Sequence, residues 1–311
     1  MKRGDFLSVR DLSSDQVLAL LERSRALKAR RELSSALKGQ SLALVFQKPS
    51  LRTRTSFDVG MYELGGHAVY LGPDEIGLGK RESIADVARV LSRYVHRIVA
   101  RTYRHDVLVT LAEVASVPVI NALSDFDHPC QILADLLTLQ ERFGRLAGLR
   151  VAYIGDGNNV ANGLIFAAER VGLHLTLASP PGYASPAELV EPARQRAERL
   201  GGTVTTVSDP RDAATGADAI YTDVWTSMGQ EHEADERRRI FSPYRVDRAL
   251  VALAQPHAIV MHDLPAHRGE EIADDVMDGP QSAVFDEAEN RLHAQKAVLL
   301  WLMERGEGEQ R

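Results

Sequence analysis

The sequence predicts an α/β protein with two domains of similar size, each built from a parallel sheet flanked by helices. Short apolar runs alternate with helical patterns along almost the whole chain, as they do in strand–helix–strand units. The chain has 311 residues, of which 44% are hydrophobic, so it can bury a sizeable core. At roughly 100–200 residues per domain, this length suits about two domains.

The first half of the chain begins with a predicted helix near Ser13, because Ser13 and Gln16 have the spacing of a capping box. A second helix is predicted to end at Gly65 and Gly66, since glycine adopts the left-handed conformation that closes a helix. The other helices predicted in this half cover residues 84–94, 107–115 and 129–143. The strands predicted in this half are residues 42–46, 68–71, 98–101 and 117–123.

The second half repeats the alternation. Its predicted strands are residues 151–154, 173–178, 204–207, 219–222 and 259–262. Its predicted helices include residues 187–200, 243–254 and 287–303. These elements predict a first domain of residues 1–138, a second domain of residues 139–286, and a C-terminal helix, 287–311, that packs back on the first domain.

Composition excludes several classes of protein. The chain carries 37 Lys and Arg against 43 Asp and Glu, a net charge of −6, whereas a dedicated nucleic-acid binder usually has a basic excess. Cys130 is the single cysteine, which rules out an internal disulfide and fits a reducing compartment. Neither a membrane-spanning apolar run nor a secretory signal is found. We therefore expect a cytoplasmic globular protein without nucleic-acid or membrane partners.

The segment after the first predicted strand has the composition of a phosphate site. Residues 47–56 place guanidinium groups and hydroxyls in the turn between a strand and a helix. Guanidinium groups bind phosphate through two parallel hydrogen bonds, and the helix dipole adds a favourable field. A solvated basic helix start is the alternative, but the crowding of Lys, Arg, Ser and Thr exceeds what a cap needs.

Two further strand ends carry candidate site residues. Arg101 ends a strand and either reaches the same ligand or forms a surface ion pair. His128 precedes Pro129, which can begin a helix, and Gln131 lies in that helix's first turn. A neutral imidazole can donate a hydrogen bond to a developing oxyanion, although a packed or surface histidine is an equal alternative. Cys130 is predicted to be a buried structural thiol, because no dedicated base is identifiable beside it.

The second half opens with an incomplete dinucleotide fingerprint. Gly155 and Gly157 have the first spacing of G-x-G-x-x-G, but Val160 occupies the position of the third glycine. The acidic residue expected after the next strand is also missing, so NAD binding is disfavoured. Asn158 and Asn159 instead supply amide groups suited to a small polar ligand.

Two loops near the end of the second half offer further polar groups. Residues 223–229 can hold an α-amino acid by pairing a carboxylate with its ammonium group, or they form a capped turn with a packed Trp225. The His, Asp and Glu side chains of residues 262–271 lack the H-E-x-x-H spacing of a zinc site, so a metal is disfavoured. Arg291 is either a surface residue or a ligand contact.

Taken in order, these segments resemble the aspartate/ornithine carbamoyltransferase family, and its ornithine branch most closely. Residues 50–54 look like the family's S-T-R-T-R, and residues 128–131 match its H-P-C-Q. Residues 223–229 match the ornithine branch's D-x-W-x-S-M-G, and residues 262–265 correspond to its H-C-L-P. One such motif is weak, but four in the right order over nearly the whole chain are highly specific.

The resemblance implies an activity. A carbamoyltransferase of the ornithine branch transfers the carbamoyl group of carbamoyl phosphate to the δ-amine of L-ornithine, giving citrulline and phosphate for arginine biosynthesis. The first domain is expected to bind carbamoyl phosphate and the second ornithine, with the active site in the cleft between them and no metal or organic cofactor. The family also implies a homotrimer or a multiple of trimers.

The resemblance also implies roles for individual residues. Those expected to bind carbamoyl phosphate are Ser50, Leu51, Arg52, Thr53, Arg54, Arg101, His128, Gln131, Leu264 and Arg291. Those expected to bind ornithine are Asn159, Asp223, Ser227, Met228, Asp263 and Leu264. Those expected to act in catalysis are Arg101, His128, Asp263 and Arg291.

Three positions depart from the family pattern. Leu51 replaces Thr, a mild change if the residue contributes its backbone amide. Gly77 stands where many relatives have a Gln or His that reaches the neighbouring subunit's site, and Lys80 or Arg81 is expected to take over that contact. Asp263 replaces Cys beside the reacting amine. Asp263 then acts as the base for ornithine, or the acceptor is a different amine, or the protein binds without turnover; the first is favoured.

Overall fold

The computed structural model describes residues 4–227 and 229–307, and the chain divides into two compact units. Unit 1 contains the described residues up to Ala134 and from Asn290 onward, and unit 2 is Asp135–Glu289. Helices α6 (Pro129–Phe143) and α13 (Val284–Glu307) each contribute residues to both units.

Parallel strands form a sheet in each unit, which confirms the predicted fold class. Unit 1 contains β1 (Ser41–Phe46), β2 (His67–Leu71), β3 (Arg97–Arg101) and β4 (Val119–Leu123). Unit 2 contains β5 (Arg150–Ile154), β6 (His174–Ala178), β7 (Thr203–Val207), β8 (Ala219–Thr222) and β9 (Ile259–Met261). Among the described residues, the strand orders are β2-β1-β3-β4 and β7-β6-β5-β8-β9.

Helices connect these strands. The remaining helices of unit 1 are α1 (Ser14–Ala29), α2 (Leu51–Glu63), α3 (Pro73–Ile76), α4 (Ile84–Tyr94) and α5 (His105–Val114). Those of unit 2 are α7 (Asn159–Val171), α8 (Ala187–Glu198), α9 (Pro210–Ala214), α10 (Ala234–Phe241), α11 (Arg248–Val251) and α12 (Asp274–Met277). Within the described part of the chain, no helix has both the length and the apolar composition needed to cross a bilayer.

Local capping explains where several helices begin. Ser13 and Gln16 form the predicted capping box of α1, and the Ser83 hydroxyl caps α4 by accepting from Asp86 N. Gly65 has φ of +82° just after α2, as expected for a glycine that closes a helix. The predictions for α4 and α6 are confirmed at both ends.

Apolar strand residues form the core of each unit. In unit 1, side chains such as Val45, Ile98 and Leu108 pack together between the sheet and its helices. In unit 2, Ile154, Ile220 and Val260 belong to a similar cluster. Both faces of a parallel sheet are covered by helices, which is why β3 is buried along its whole length and residues 42–46 of β1 form a continuous apolar run rather than an alternating one.

The predicted helix 243–254 is wrong. A short 3₁₀ turn, Ser242–Tyr244, and α11 replace it. Val246 lies between them because it forms a β-bridge with Ile272, and Asp247 then caps α11 by accepting from Leu250 N. The apolar pattern that predicted a helix here therefore arises in part because Val246 is buried in an extended conformation. The predicted ranges also include no helix at α3, α7, α9, α10 or α12.

A buried ion pair joins α13 to α2 within unit 1. Lys296 Nζ lies 2.6 Å from Glu63 Oε2, and the Lys296 side chain is only 1% exposed. Arg31 binds the other oxygen of Glu63 at 3.1 Å. Burial raises the pKa of Glu63, but the hydrogen bonds and charges of Lys296 and Arg31 outweigh burial and lower it overall. Glu63 therefore stabilises the fold as a carboxylate, and this contribution is lost as the pH falls through its pKa.

We expect Lys296→Met to lower the free energy of unfolding by about 3–5 kcal/mol, because it leaves a buried carboxylate without its main partner. Urea unfolding at fixed protein concentration measures the change. Arg23→Met is the matched control, since the Arg23–Glu304 pair is exposed and should contribute less than about 1 kcal/mol. A loss no greater than in this control would contradict the importance of the buried pair.

Candidate active site

The carboxyl ends of β1, β3 and β4 bring the predicted phosphate residues of unit 1 to one edge of its sheet. Phe46 is in register with Arg101, and Arg101 with Leu123. Main-chain bonds continue past the strands, from Gln47 N to Arg101 O at 2.8 Å and from Thr102 N to Leu123 O at 2.9 Å. Ligands of open α/β sheets bind at this edge.

Helix α2 begins at this edge of the sheet. Ser50 is its N-cap, and the Ser50 hydroxyl accepts from Thr53 N at 3.3 Å. Thr53 is buried, Arg52 is half-buried, and Leu51 is exposed. The Arg54 guanidinium lies 3.9 Å from the centroid of the Tyr70 ring. The hydroxyls and cations predicted from residues 50–54 therefore surround a helix N-terminus, where amides and the dipole favour an anion.

Arg291 forms hydrogen bonds with two other predicted site residues. Its Nη1 donates to Gln131 Oε1 at 2.6 Å, and its Nη2 donates to Thr53 Oγ1 at 3.1 Å. The Arg291 side chain is buried. The structure thus excludes a surface position for Arg291 and places it beside Thr53 and Gln131 in unit 1.

His128 is buried among cations. Burial lowers the pKa of His128 well below its ordinary value, and the charges of Arg291, Arg101, Arg52 and Lys48 lower it further. The imidazole is therefore neutral at physiological pH and has one N–H to donate. Its Nδ1 has no hydrogen-bond partner among the described residues. A neutral donor of this kind can polarise a carbonyl oxygen without adding a charge.

Lys48 is a cation that the sequence analysis did not assign to the site. It is buried, and its Nζ lies 4.7 Å from the centroid of the Tyr103 ring. Lys48 lies two residues after the end of β1 and just before Pro49, so its position near a strand end was the available signal. It adds positive charge beside His128.

Cys130 is a structural thiol. It is fully buried, and its Sγ donates to Asn121 O at 3.5 Å. Burial raises the pKa of Cys130 to about 12, so the reactive thiolate is absent at neutral pH. The interpretation of Cys130 as packing rather than nucleophile is consistent with this environment.

At the carboxyl edge of the unit 2 sheet, Asn158 organises the start of α7. Asn158 Oδ1 caps the helix by accepting from Val160 N at 3.0 Å and Ala161 N at 3.2 Å. Asn158 Nδ2 donates to Asp223 Oδ2 at 2.7 Å. Asn159, the predicted ornithine residue, is half-buried in the first turn of α7. Asn158 is therefore a cap and a support for Asp223.

The glycine pattern after β5 serves chain packing. A Cβ at Gly157 would lie 2.2 Å from Ser185 N, and Gly157 N donates to Tyr183 O at 2.7 Å. In a dinucleotide site this glycine lets the pyrophosphate approach the backbone. Here the approaching group is the backbone of residues 183–185, which agrees with the failed fingerprint.

The loop after β8 contains one buried carboxylate and one packed aromatic ring. Asp223 is buried, and Asp223 Oδ1 accepts from Val224 N at 2.7 Å. Trp225 is also buried and stacks on Phe241 with ring centroids 6.0 Å apart. Ser227 is half-buried, and its N–H donates to the Gln230 side chain. Met228 lies outside the described residues.

Asp223 and Asp263 form a carboxyl pair. Burial raises the pKa of Asp223 well above its ordinary value, and the charge of Asp263 and a hydrogen bond with it raise that pKa further. The hydrogen bond from Asn158 acts in the opposite direction. Two carboxyl groups can hydrogen bond only through a proton, so the pair holds one proton and one negative charge.

His262 contacts Asp263 of this pair through its imidazole ring. Its Nε2 lies 3.1 Å from Glu271 Oε1, and its Nδ1 lies 2.9 Å from Leu264 N and 3.3 Å from Asp263 Oδ1. Burial disfavours the imidazolium, and hydrogen bonds with Asp263 and Glu271 would raise the pKa of His262 to about 10. We favour the neutral ring with Nε2–H donated to Glu271, because the Leu264 N–H needs a lone pair on Nδ1.

Leu264 and Glu287 lie close to Asp263 and His262 in unit 2. Leu264 has φ of +60°, an uncommon conformation for a residue with a side chain. Glu287 accepts from His262 N at 2.9 Å and from the Tyr221 hydroxyl at 3.0 Å. Burial and the charge of Asp263 raise the pKa of Glu287 to about 7. Unit 2 therefore concentrates acidic groups, whereas unit 1 concentrates basic ones.

Comparison with known proteins assigns both units. Residues 4–141 match the carbamoyl-P binding domain of aspartate/ornithine carbamoyltransferase, and residues 147–302 match its Asp/Orn binding domain. The ornithine carbamoyltransferase of Acidothermus cellulolyticus is 55% identical over 304 residues, covering 97% of each protein. An anabolic ornithine carbamoyltransferase of Pyrococcus furiosus is 50% identical over 302 residues, covering 96% of each.

Solved structures agree with this assignment. The structure of ornithine carbamoyltransferase from Pyrococcus furiosus has a TM-score of 0.93 to this chain at 50% identity, covering 96% of both. The structure from Thermus thermophilus has a TM-score of 0.88 at 47% identity, covering 97% of this chain and 99% of that one. The chain belongs to the aspartate/ornithine carbamoyltransferase family.

Proposed function

We propose that this protein transfers the carbamoyl group of carbamoyl phosphate to the δ-amine of L-ornithine, giving citrulline and phosphate. The observation that carries the proposal is the neutral, buried His128 among Arg52, Arg101 and Arg291. A phosphate dianion needs these cations, and a carbonyl oxygen that gains negative charge needs an uncharged donor. The similarity to ornithine carbamoyltransferases at about 50% identity over nearly the whole chain supports the same substrates.

Carbamoyl phosphate is expected to bind with its phosphate at the start of α2. Ser50, Arg52, Thr53 and Arg54, with the amide of Leu51, supply the donors there. Arg101 then contacts both the phosphate and the carbonyl oxygen, and His128 and Thr53 polarise that oxygen. Gln131, Arg291 and the main-chain carbonyl of Leu264 are left for the carbamoyl NH2 group.

Ornithine is expected to bind through its α-amino and α-carboxylate groups to Asn159, Asp223, Ser227 and Met228. Its δ-amine arrives as an ammonium group, because a free alkylamine has a pKa of about 10. The Asp223–Asp263 pair carries one negative charge, which attracts that cation. Asp263 can then take its proton, so both carboxyl groups become neutral and the amine acquires its lone pair.

The reaction then balances without a covalent enzyme intermediate. The neutral δ-nitrogen forms a bond to the carbamoyl carbon, and the bond from that carbon to the phosphate oxygen breaks. The nitrogen's extra proton leaves with the phosphate, so citrulline is neutral at its ureido group. The proton taken by Asp263 passes to solvent as the products leave, which restores the protein. The protein's contribution is to hold the two reactants together, exclude water and stabilise the oxyanion.

The biological setting follows from the same similarity. We propose the anabolic direction, towards arginine, because the Pyrococcus furiosus relative is named anabolic. We also propose a cytoplasmic homotrimer or multiple of trimers, in which Lys80 or Arg81 reaches the neighbouring subunit's site. Both residues are exposed in the segment after α3, as such a contact requires.

An acceptor panel tests the activity directly. Purified protein is given carbamoyl phosphate with L-ornithine, putrescine, L-aspartate or L-lysine, and both ureido product and phosphate are measured. We expect turnover with ornithine alone, since the acidic Asp223 loop repels a second carboxylate and putrescine lacks the carboxylate that Asn159 binds. Phosphate release that needs no acceptor, or a preference for another amine, would contradict the proposal.

Neutralising Arg52 tests the phosphate site. We expect Arg52→Gln to lower kcat/KM for carbamoyl phosphate by about 100-fold or more, because one charged donor to the phosphate is lost. Arg25→Gln is the matched control, since Arg25 is an exposed arginine that pairs with Glu22 on α1. Steady-state citrulline formation compares the two variants. Equal rates in both would exclude Arg52 from the site.

Changing Asp263 tests the proton acceptor. We expect Asp263→Asn to lower kcat at pH 7 by about 100-fold, because the amide cannot accept the ammonium proton. We expect Asp263→Cys to shift the kcat profile to higher pH, where more of the amine is already neutral. Glu270→Gln is the control, since Glu270 lies in the same loop and pairs with Arg238. Profiles that superimpose for wild type and both Asp263 variants would show that Asp263 is not the base.

A further inference from the structure

Asp127, the residue directly before His128, is held at both its main chain and its side chain. Its carbonyl oxygen accepts from Ser124 N at 3.1 Å and from Asn121 Nδ2 at 3.2 Å. Its carboxylate Oδ2 accepts from the Ser8 hydroxyl at 2.6 Å and from Val9 N at 3.1 Å. The turn between β4 and α6 is therefore fixed immediately before His128.

The donors to Asp127 come from an N-terminal segment, residues 6–11, that is itself well anchored. Phe6 forms a parallel bridge with Ile120 beside β4, and Phe6 O accepts from Asn121 N at 2.8 Å. Asn121 Nδ2 also donates to Leu7 O at 2.9 Å. Ser8 caps a 3₁₀ turn by accepting from Arg10 N at 3.3 Å. Asp127 thus faces a rigid pair of donors more than a hundred residues away in sequence.

The carboxyl group of Asp127 is completely buried. Burial raises the pKa of Asp127 to about 7, although the bonds from Ser8, Val9 and the His128 N–H oppose the rise. The titratable groups that act on it are Asp11 on the N-terminal segment and Cys130 on α6, and His128 follows it directly in the chain. Asp11 raises the pKa further, and Cys130 carries no charge near neutrality.

The position of His128 depends on this turn. His128 O accepts from Gln131 N at 2.9 Å and Ile132 N at 3.1 Å, which fixes the residue to the start of α6 on its far side. On its near side, the main-chain angles of Asp127 set the direction in which the imidazole leaves the chain. A displacement of the order of 1 Å at a catalytic group can lower a rate about 100-fold.

We propose that Asp127 is a positioning residue for carbamoyl transfer, whose ionised carboxylate clamps the His128 turn onto the N-terminal segment through Ser8 and Val9. This inference rests on the proposed function, because it takes His128 as the donor to the carbamoyl oxygen. Asp127 acts through His128 and does not itself contact a substrate.

Ionisation has opposite effects on rate and on stability. Hydrogen bonds to a carboxylate are stronger than those to a neutral acid, so the clamp tightens and kcat rises as the pH passes about 7. The folded-state pKa lies above the ordinary value near 4, so the stabilisation that protonated Asp127 provides is lost as the pH rises from about 4 to about 7. A residue with only a structural role would not separate rate from stability in this way.

The experiment compares Asp127→Asn, Asp127→Ala and Ser8→Ala with wild type from pH 6 to pH 8.5. We expect Asp127→Asn to match wild type within about twofold at pH 6 and to fall about fivefold in kcat at pH 8.5, while its melting temperature at pH 8.5 is equal or higher. Ser8→Ala should lower kcat at pH 8.5 in the same direction, and Asp127→Ala should lower it about 10- to 100-fold.

Asp125→Asn is the matched control, because Asp125 lies in the same turn, is exposed and accepts only from His105 N among the contacts described for its side chain. It should keep the wild-type profile. The proposal is overturned if the Asp127→Asn profile superimposes on that of wild type, or if kcat of the variants simply follows their melting temperature. If Asp127→Ala does not fold, Asp127→Asn and Ser8→Ala decide the question.

Failure of the proposed function gives a different result. A wild-type protein that forms no citrulline contradicts the proposed reaction, and calorimetric binding of carbamoyl phosphate at pH 6 and pH 8.5 then tests the clamp instead. The positioning role is supported if wild type binds carbamoyl phosphate more tightly than Asp127→Asn at pH 8.5 but not at pH 6. Equal affinities at both pH values overturn it.

Discussion

Electrostatic repulsion among the cations around His128 is the constraint on which unit 1 depends. Arg291, Arg101, Arg52 and Lys48 all disfavour a further positive charge, and burial acts in the same direction, so the imidazole stays neutral. Burying several positive charges close together makes the free energy of folding less favourable. The parallel sheet makes the concentration possible, because its carboxyl edge collects the residues that follow separate strands.

Unit 2 has the opposite sign of charge for a related reason. Asp223, Asp263 and Glu287 are acidic and buried or nearly so, and their mutual repulsion is relieved by protons and by hydrogen bonds from Asn158 and His262. One unit is thus suited to a dianionic ester and the other to a cationic amine. Both units are built on parallel sheets, but their electrostatic environments differ. Each environment is complementary to the charge of its own substrate.

The sequence predicted the parts of the fold that depend on local chemistry. Helix α6 begins at Pro129 and helix α4 follows the Ser83 cap, and both were predicted at their ends. The helix predicted at 243–254 failed because Val246 pairs with Ile272, a contact between residues distant in sequence. Among the site residues, the contacts of Arg291 with Gln131 and Thr53 join residues about 160 and 240 positions apart, so only the family pattern suggested a shared role.

The environments of two acidic residues, Asp127 and Asp263, could not be predicted from composition. Each is charged in an ordinary aqueous setting, and the sequence offered no sign that Asp127 is buried against Ser8. In the folded chain the raised pKa values of Asp127 and Glu287, both about 7, mean that the folded state holds protons which the unfolded chain has already released above pH 5. Stability is therefore lost as the pH rises from about 4 to about 7, and in the folded chain these carboxyl groups acquire their charge only near pH 7. The loss accompanies burial, because a fully solvated carboxyl group would keep its ordinary pKa and could not lie against Ser8 and Val9 at the His128 turn.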